Sequence, residues 1–178
     1  MGKYSLKMKR VVLIGFRGVG KSTLAKTLAA QLSVPLISTD AQIEAVTGMP
    51  ISQFVAANGW PKFREIEQSV IAGLPENEPA VIDCGGGVIE NPENMRQLAK
   101  HSLIVWVDCE MWLIYQRLSA SGDRPLLNEA DLQKDIESNY NRRLPLYRQH
   151  AQLKVDTTET APELLAETII RQLNISDL

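Results

Sequence analysis

The residues Gly15-Phe16-Arg17-Gly18-Val19-Gly20-Lys21-Ser22 match the pattern G-x4-G-K-[ST]. Loops of this kind turn main-chain N–H groups inward around a phosphate, and a following helix adds partial positive charge at its N-terminus. Lys21 is then expected to reach the β- and γ-phosphates of a nucleotide, and the Ser22 hydroxyl to hold Mg²⁺. Other chemically capable residues stand farther along. Asp40 can accept a hydrogen bond from a substrate hydroxyl, or serve only as a helix N-cap. Arg124, in Arg124-Pro125-Leu126-Leu127, can meet the charge on a transferring phosphoryl group if its apolar neighbours anchor a closing lid. Arg64 and Glu67, in Phe63-Arg64-Glu65-Ile66-Glu67, share a helix face, as an ordinary surface ion pair would. Gly85-Gly86-Gly87 has a backbone-entropy cost that makes sense where a ligand approaches the main chain closely. Arg142-Arg143-Leu144-Pro145-Leu146-Tyr147 closes a long helical pattern. Its arginines either complement a helix C-terminus, or a fixed turn at Pro145 aims Arg143 inward.

These groups need a scaffold. Short apolar runs at 10–14, 35–39, 80–84, 103–107 and 153–156 read as strands, with helical patterns between them. The alternation predicts an α/β fold in three layers, α/β/α, around a five-stranded parallel sheet covered on both faces. Leu24, Leu28 and Leu32, four residues apart, mark the buried face of the helix after the phosphate loop. The last helix has a capping-box start, Thr160-Ala161-Pro162-Glu163. Two stretches interrupt the alternation. Residues 40–73 read as two or three short helices, broken at Gly48-Met49-Pro50 and Gly59-Trp60-Pro61, and residues 119–131 read as a polar, mobile lid. Asp40, Asp83 and the glycine triplet all fall at strand C-terminal ends, where open α/β sheets bind ligands.

The bulk properties narrow the field. A chain of 178 residues suits one domain. A net charge of −2 offers no global basic excess for nucleic acid. Cys84 and Cys109 lie in apolar strand-like runs and read as buried thiols of a reducing compartment. No run reaches membrane-spanning length, and the basic first ten residues lack the apolar segment of a secretion signal. A soluble, cytoplasmic monomer is the expectation. The D-x-x-G of Asp83-Cys84-Gly85-Gly86 also suits a GTPase switch, but no N-K-x-D guanine-reading motif accompanies it.

In five ordered blocks the chain resembles the shikimate kinases: GFRGVGKST, the Asp40 region, FREIE, CGGG, and RPLL with RRLPLY. The resemblance implies a P-loop kinase fold, with residues 40–73 as the acceptor-binding region. It also implies transfer of the γ-phosphoryl group of ATP to the 3-hydroxyl of shikimate, with Mg²⁺, in chorismate biosynthesis. By the same resemblance, Gly18, Val19, Gly20, Lys21, Ser22 and Thr23 hold the phosphates, and Arg117 packs on adenine. Arg64 and Arg143 grip the shikimate carboxylate, with Glu67 supporting them. Gly85, Gly86 and Gly87 line the acceptor, Asp40 acts as the acceptor-orienting base, and Arg124 is the lid arginine. Two arginines suit an acidic acceptor, because each can bind a carboxylate through paired hydrogen bonds.

The pattern is broken in two places. The family usually has Asp-x-Asp where this chain has Ser38-Thr39-Asp40, and a small residue where it has Asp83. Ala80-Val81-Ile82-Asp83 looks like a Walker B strand, so Asp83 is expected to support Mg²⁺ through water in place of the missing aspartate. Trp60-Pro61 stands where the family often has a glutamate. Two readings compete with a shikimate kinase: another small carboxylate or polyol kinase resembling gluconate kinases, and a nucleotide-binding module without turnover.

Overall fold

The computed structural model describes residues 10–120 and 129–175. Five parallel strands form one sheet: β1 (Arg10–Ile14), β2 (Leu36–Ser38), β3 (Ala80–Asp83), β4 (Ser102–Asp108) and β5 (Leu153–Asp156), in the order β2-β3-β1-β4-β5. β1, β3 and β4 are buried at every position, as central parallel strands covered on both faces must be. Their unbroken apolar runs, such as Val11-Val12-Leu13-Ile14, follow from that double burial. β2 and β5, at the edges, are partly exposed.

The connection after β1 leads to β2, and the connection after β3 leads to β4, on the other side of β1. The two paths diverge between β1 and β3, and a crevice opens there at the strand C-termini. Helix α1 (Lys21–Leu32) starts at that point. Its N-cap, Gly20, has φ of 93°, a left-handed conformation that a side chain would strain. Leu24 and Leu28 are buried in the main core, and Leu32 packs at its margin.

The expected helical stretch at 40–73 is two helices, α2 (Thr39–Thr47) and α3 (Ile51–Ala72). The break at Gly48-Met49-Pro50 is complete. At Gly59, φ of 80° and ψ of 164° leave the helical region and divide α3 into two segments at a kink, so the expected break at Gly59-Trp60-Pro61 is present as well. Ile43, Phe54 and Phe63 form their own small hydrophobic cluster, so this region holds its shape apart from the main core.

Several expectations are corrected. β2 ends at Ser38, and Ser38 itself caps α2 by accepting a hydrogen bond from the Ala41 N–H. Asp40 therefore lies inside the first helical turn and is neither the strand end nor the N-cap. α4 (Pro92–Leu98) and α5 (Met111–Ala120) follow β3 and β4. Of the stretch read as a lid, α5 holds residues 119–120 and α6 (Glu129–His150) holds 129–131; the residues between lie outside the described ones. Arg124 lies outside the described residues. α6 does not stop before Pro145 but continues to His150. Tyr147 is fully buried, so packing keeps this turn helical despite the missing proline N–H. α7 (Pro162–Ile175) begins one residue later than the Thr160 capping box implies. Among the described residues no helix is long and apolar enough to cross a membrane.

Candidate active site

Two adjoining cavities sit on the crevice. The first, about 580 Å³, is lined by loop residues Gly18 and Gly20, by Lys21, Ser22 and Thr23 of α1, by Ser38 and Asp40, and by Asp83, Gly85 and Gly86 beyond β3. Arg117, Thr157 and Pro162 close its far side. Val19 is the exception in the loop. Its side chain is buried in the core, so only its main chain is available, and its carbonyl accepts a 2.6 Å hydrogen bond from the Thr157 hydroxyl. The second cavity, about 410 Å³, is lined by Phe16, Arg17, Trp60, Arg64, Glu90, Asp135, Asn139, Arg142 and Arg143. Arg17 belongs to both.

In the first cavity, the buried Lys21 ammonium donates to the carbonyls of Gly15 and Phe16, both at 2.9 Å. Burial lowers its pKa, and the charges of Asp83 and Asp40 oppose that shift. Asp40 opens onto the cavity. Desolvation in the cleft raises its carboxyl above the ordinary value, Lys21 pulls it down, and Asp83 and Glu44 push it up. Arg117 donates to the Gly18 carbonyl at 2.9 Å, which fixes its guanidinium against the phosphate loop.

The glycine triplet has a more specific cause than ligand approach alone. A Cβ on Gly85 would stand 2.6 Å from Asp40 Oδ1, and one on Gly87 would stand 2.3 Å from Arg64 Nη2. On Gly86 it would meet the main chain of Arg17 at 3.2 Å. The triplet makes room for the protein's own carboxylate, loop backbone and guanidinium, each brought close by a different element. Gly85 and Gly86 also line the first cavity, whereas Gly87 faces Arg64.

Arg64 and Arg143, far apart in sequence, meet in the second cavity. The Arg64–Glu67 pair is not an ordinary surface pair: Glu67 is only 1% exposed. Arg64 Nη1 donates to both of its carboxylate oxygens at 2.8 Å, and Asn94 of α4 donates to one of them at 3.3 Å. Desolvation raises the Glu67 carboxyl and Arg64 opposes the rise. Trp60, 55% exposed at the cavity rim, lies with its ring 5.5 Å from the Arg64 guanidinium. Phe16 lies 5.7 Å from that of Arg143. Such ring faces favour a cation and restrict its movement.

Sequence reasoning missed several residues here. Arg17 occupies a variable position of the phosphate loop, so the motif gave it no role. Thr39 is buried and joins α2 to the glycine loop: the Gly85 N–H donates to its hydroxyl at 3.1 Å. Neither Thr157, just beyond β5, nor Glu90 was singled out by any motif.

This arrangement has relatives. The family model described as "Shikimate kinase" matches residues 17–174. The chain belongs to the shikimate kinase family. A shikimate kinase of Caldicellulosiruptor bescii is 38% identical, over 92% of this chain and 94% of the relative. One of Thermodesulfovibrio yellowstonii is 36% identical, over 93% and 95%. Among solved structures, the shikimate kinase of Acinetobacter baumannii in complex with shikimate superposes with a TM-score of 0.87 at 28% identity, covering 96% of each chain. The family places this chain among ATP-dependent phosphotransferases with a P-loop kinase fold, as the loop, sheet and cavities had indicated.

Proposed function

We propose that this member of the shikimate kinase family transfers the γ-phosphoryl group of ATP to the 3-hydroxyl of shikimate, giving shikimate 3-phosphate and ADP. The observation that carries the reading is the convergence of Arg64 and Arg143 on one carboxylate-sized position, in a cavity joined through Arg17 to the Lys21 cavity. On this reading residues 1–178 form one kinase domain, with 40–73 as its acceptor region.

ATP occupies the first cavity. The N–H groups from Gly18 to Thr23 surround its phosphates, Lys21 leaves the loop carbonyls for the β- and γ-phosphates, and Arg117 lies beside the base. The acceptor occupies the second cavity with its carboxylate between Arg64 and Arg143, and its hydroxyl directed at Asp40. Asp40 accepts that hydrogen bond and takes the proton as the oxygen attacks phosphorus. Positioning and charge neutralisation supply most of the rate in such transfers. Arg124 is assigned to the transferring phosphoryl group.

The donor set also fits Mg²⁺. Among the described residues no cluster of three or more acidic, histidine or cysteine side chains could cage a metal. Ser22 and Asp83 instead face the cavity meant for the phosphates. Mg²⁺ ordinarily binds through one or two such groups, phosphate oxygens and water. When bound, it neutralises charge on the β- and γ-phosphates.

A coupled ADP-release assay with ATP, Mg²⁺ and shikimate, run beside gluconate and AMP, tests the reading. Turnover with shikimate alone is expected. Turnover only with gluconate, or ATP binding without any turnover, would overturn it.

A further inference from the structure

Glu90 is placed where an acidic acceptor is expected. It ends a short 3-10 segment (Val88–Glu90) that follows the glycine triplet. Val88 and Ile89 are buried, so the segment is a fixed perch rather than a loose loop. The Glu90 carboxylate receives hydrogen bonds from guanidinium groups of two helices. Arg64 Nη2 of α3 donates to Oε2 at 3.1 Å. Arg143 of α6 donates from Nε to Oε1 and from Nη2 to Oε2, both at 3.3 Å. Arg142 donates to Oε1 as well. The bidentate edge of Arg143, the one best shaped for a carboxylate, is thus engaged by an internal carboxylate. Burial disfavours its ionisation, but Arg143 and Arg142 outweigh that and hold the carboxyl below its ordinary value.

We propose that Glu90 is an internal competitor that sets the affinity of the acceptor site: its carboxylate occupies the arginine clamp, and an acidic acceptor binds by taking its place. The inference rests on the acceptor assignment above. Charge at the cavity supports the exchange. Among the described residues, Arg17, Arg64, Arg142 and Arg143 outnumber Glu90 and Asp135 of the lining and Glu67 beside Arg64, an excess of positive charge that suits an incoming anion. Glu90 also has somewhere to go. Arg142 is 57% exposed and can keep the displaced carboxylate paired at the solvent edge while Arg64 and Arg143 turn to the ligand. Every acid entering the cavity must first break the Glu90 contacts. A small carboxylate with nothing else to offer loses that exchange, whereas a ligand whose hydroxyls reach Asp40 gains contacts that offset it.

The test compares wild type with Glu90→Gln and Glu90→Asp. Glu90→Gln removes the competing charge; Glu90→Asp keeps it but shortens its reach. The KM for shikimate should fall roughly tenfold in Glu90→Gln, with a smaller fall in Glu90→Asp, and the change should be mainly in KM rather than kcat. Calorimetric binding of cyclohexanecarboxylate, an acid without hydroxyls, should tighten in the same order. A KM and an acid affinity that stay the same or worsen would overturn the proposal, and would mean that Glu90 only holds the arginines in position. If Glu90→Gln does not fold, Glu90→Asp decides by the same criteria. If wild type does not phosphorylate shikimate, the acceptor reading fails by itself, and the cyclohexanecarboxylate titrations still decide the role of Glu90.

Discussion

Ser38 and Asp83 are register partners on the adjacent parallel strands β2 and β3. Ser38, which the resemblance aligns with a family aspartate, thus lies beside Asp83. Both residues line the first cavity, so a carboxylate moved from one strand end to the next remains within the same small volume. The Ser38 hydroxyl is already used as the cap of α2.

This neighbourhood predicts a swap. Asp83→Asn should lower kcat/KM and raise the Mg²⁺ concentration needed for half-maximal rate. Adding Ser38→Asp to that variant should restore much of both. Aspartate caps helices as well as serine does, so α2 keeps its start. A Mg²⁺ titration of the rate for the three proteins checks this, and an Asp83→Asn enzyme with wild-type Mg²⁺ dependence would exclude Asp83 from metal support.

The sheet and the phosphate loop could be read from sequence because they depend on local patterns. Val11 to Ile14 and Ala80 to Asp83 are continuous buried runs, and the loop between strand and helix has a fixed spacing. Other features depended on distant partners. The spacing of Arg64 and Glu67 predicts a shared face, but not that Asn94, on another helix, would bury that face. Glu90 was silent because its partners lie 26 to 53 residues away. Pro145 misled for a related reason: local chemistry favours a helix end, and the buried Tyr147 outweighs it.

Acid sensitivity should follow Asp40. On the proposed role, the carboxylate must be ionised to take the proton of the attacking hydroxyl. Its pKa is raised, by desolvation first and then by Asp83 and Glu44, against the pull of Lys21. Activity is therefore lost, as pH falls, at a higher pH than an ordinary aspartate would give. Glu44→Gln removes one raising charge while keeping an acceptor for the Ile51 N–H, so the acidic limb of kcat/KM should move to lower pH. Asp40→Asn should lower kcat by about 10²–10⁴-fold across the range.

Truncating Arg143 to alanine should raise the KM for shikimate about 10- to 100-fold, as expected for losing charge-assisted hydrogen bonds. The KM for ATP should change far less, because Arg143 lines only the second cavity. Initial-rate kinetics with each substrate varied in turn separate the two effects.

Gly85→Ala should separate folding from function. The added methyl would press on Asp40 Oδ1, the end of a side chain that can swing away, so the melting temperature should change little. The displaced carboxylate should cost at least tenfold in kcat. Gly15→Ala would instead drive a methyl to 2.1 Å from the Val107 carbonyl, a main-chain atom, and should destabilise the fold outright. Thermal melts beside turnover assays distinguish the two.

Arg10 offers a stability test far from the chemistry. It is buried and donates to Ser102 Oγ and to the carbonyls of Pro75, Gln97, Leu98 and Lys100. Arg10→Met strands those acceptors and should lower stability by about 2–4 kcal/mol in urea unfolding. KM values at a permissive temperature should remain those of wild type.

α6 is pinned along its length: Asp135 to Arg17, Tyr140 to Asp108, the arginine pair to Glu90, and Tyr147 to the Gly86 carbonyl. It works as a crossbar between the two cavities, so neither can be reshaped alone by shifting this helix. Sequence drift along α6 should concentrate on its outward face, and lineages that change acceptor should do so by exchanging side chains on this bar rather than by moving it.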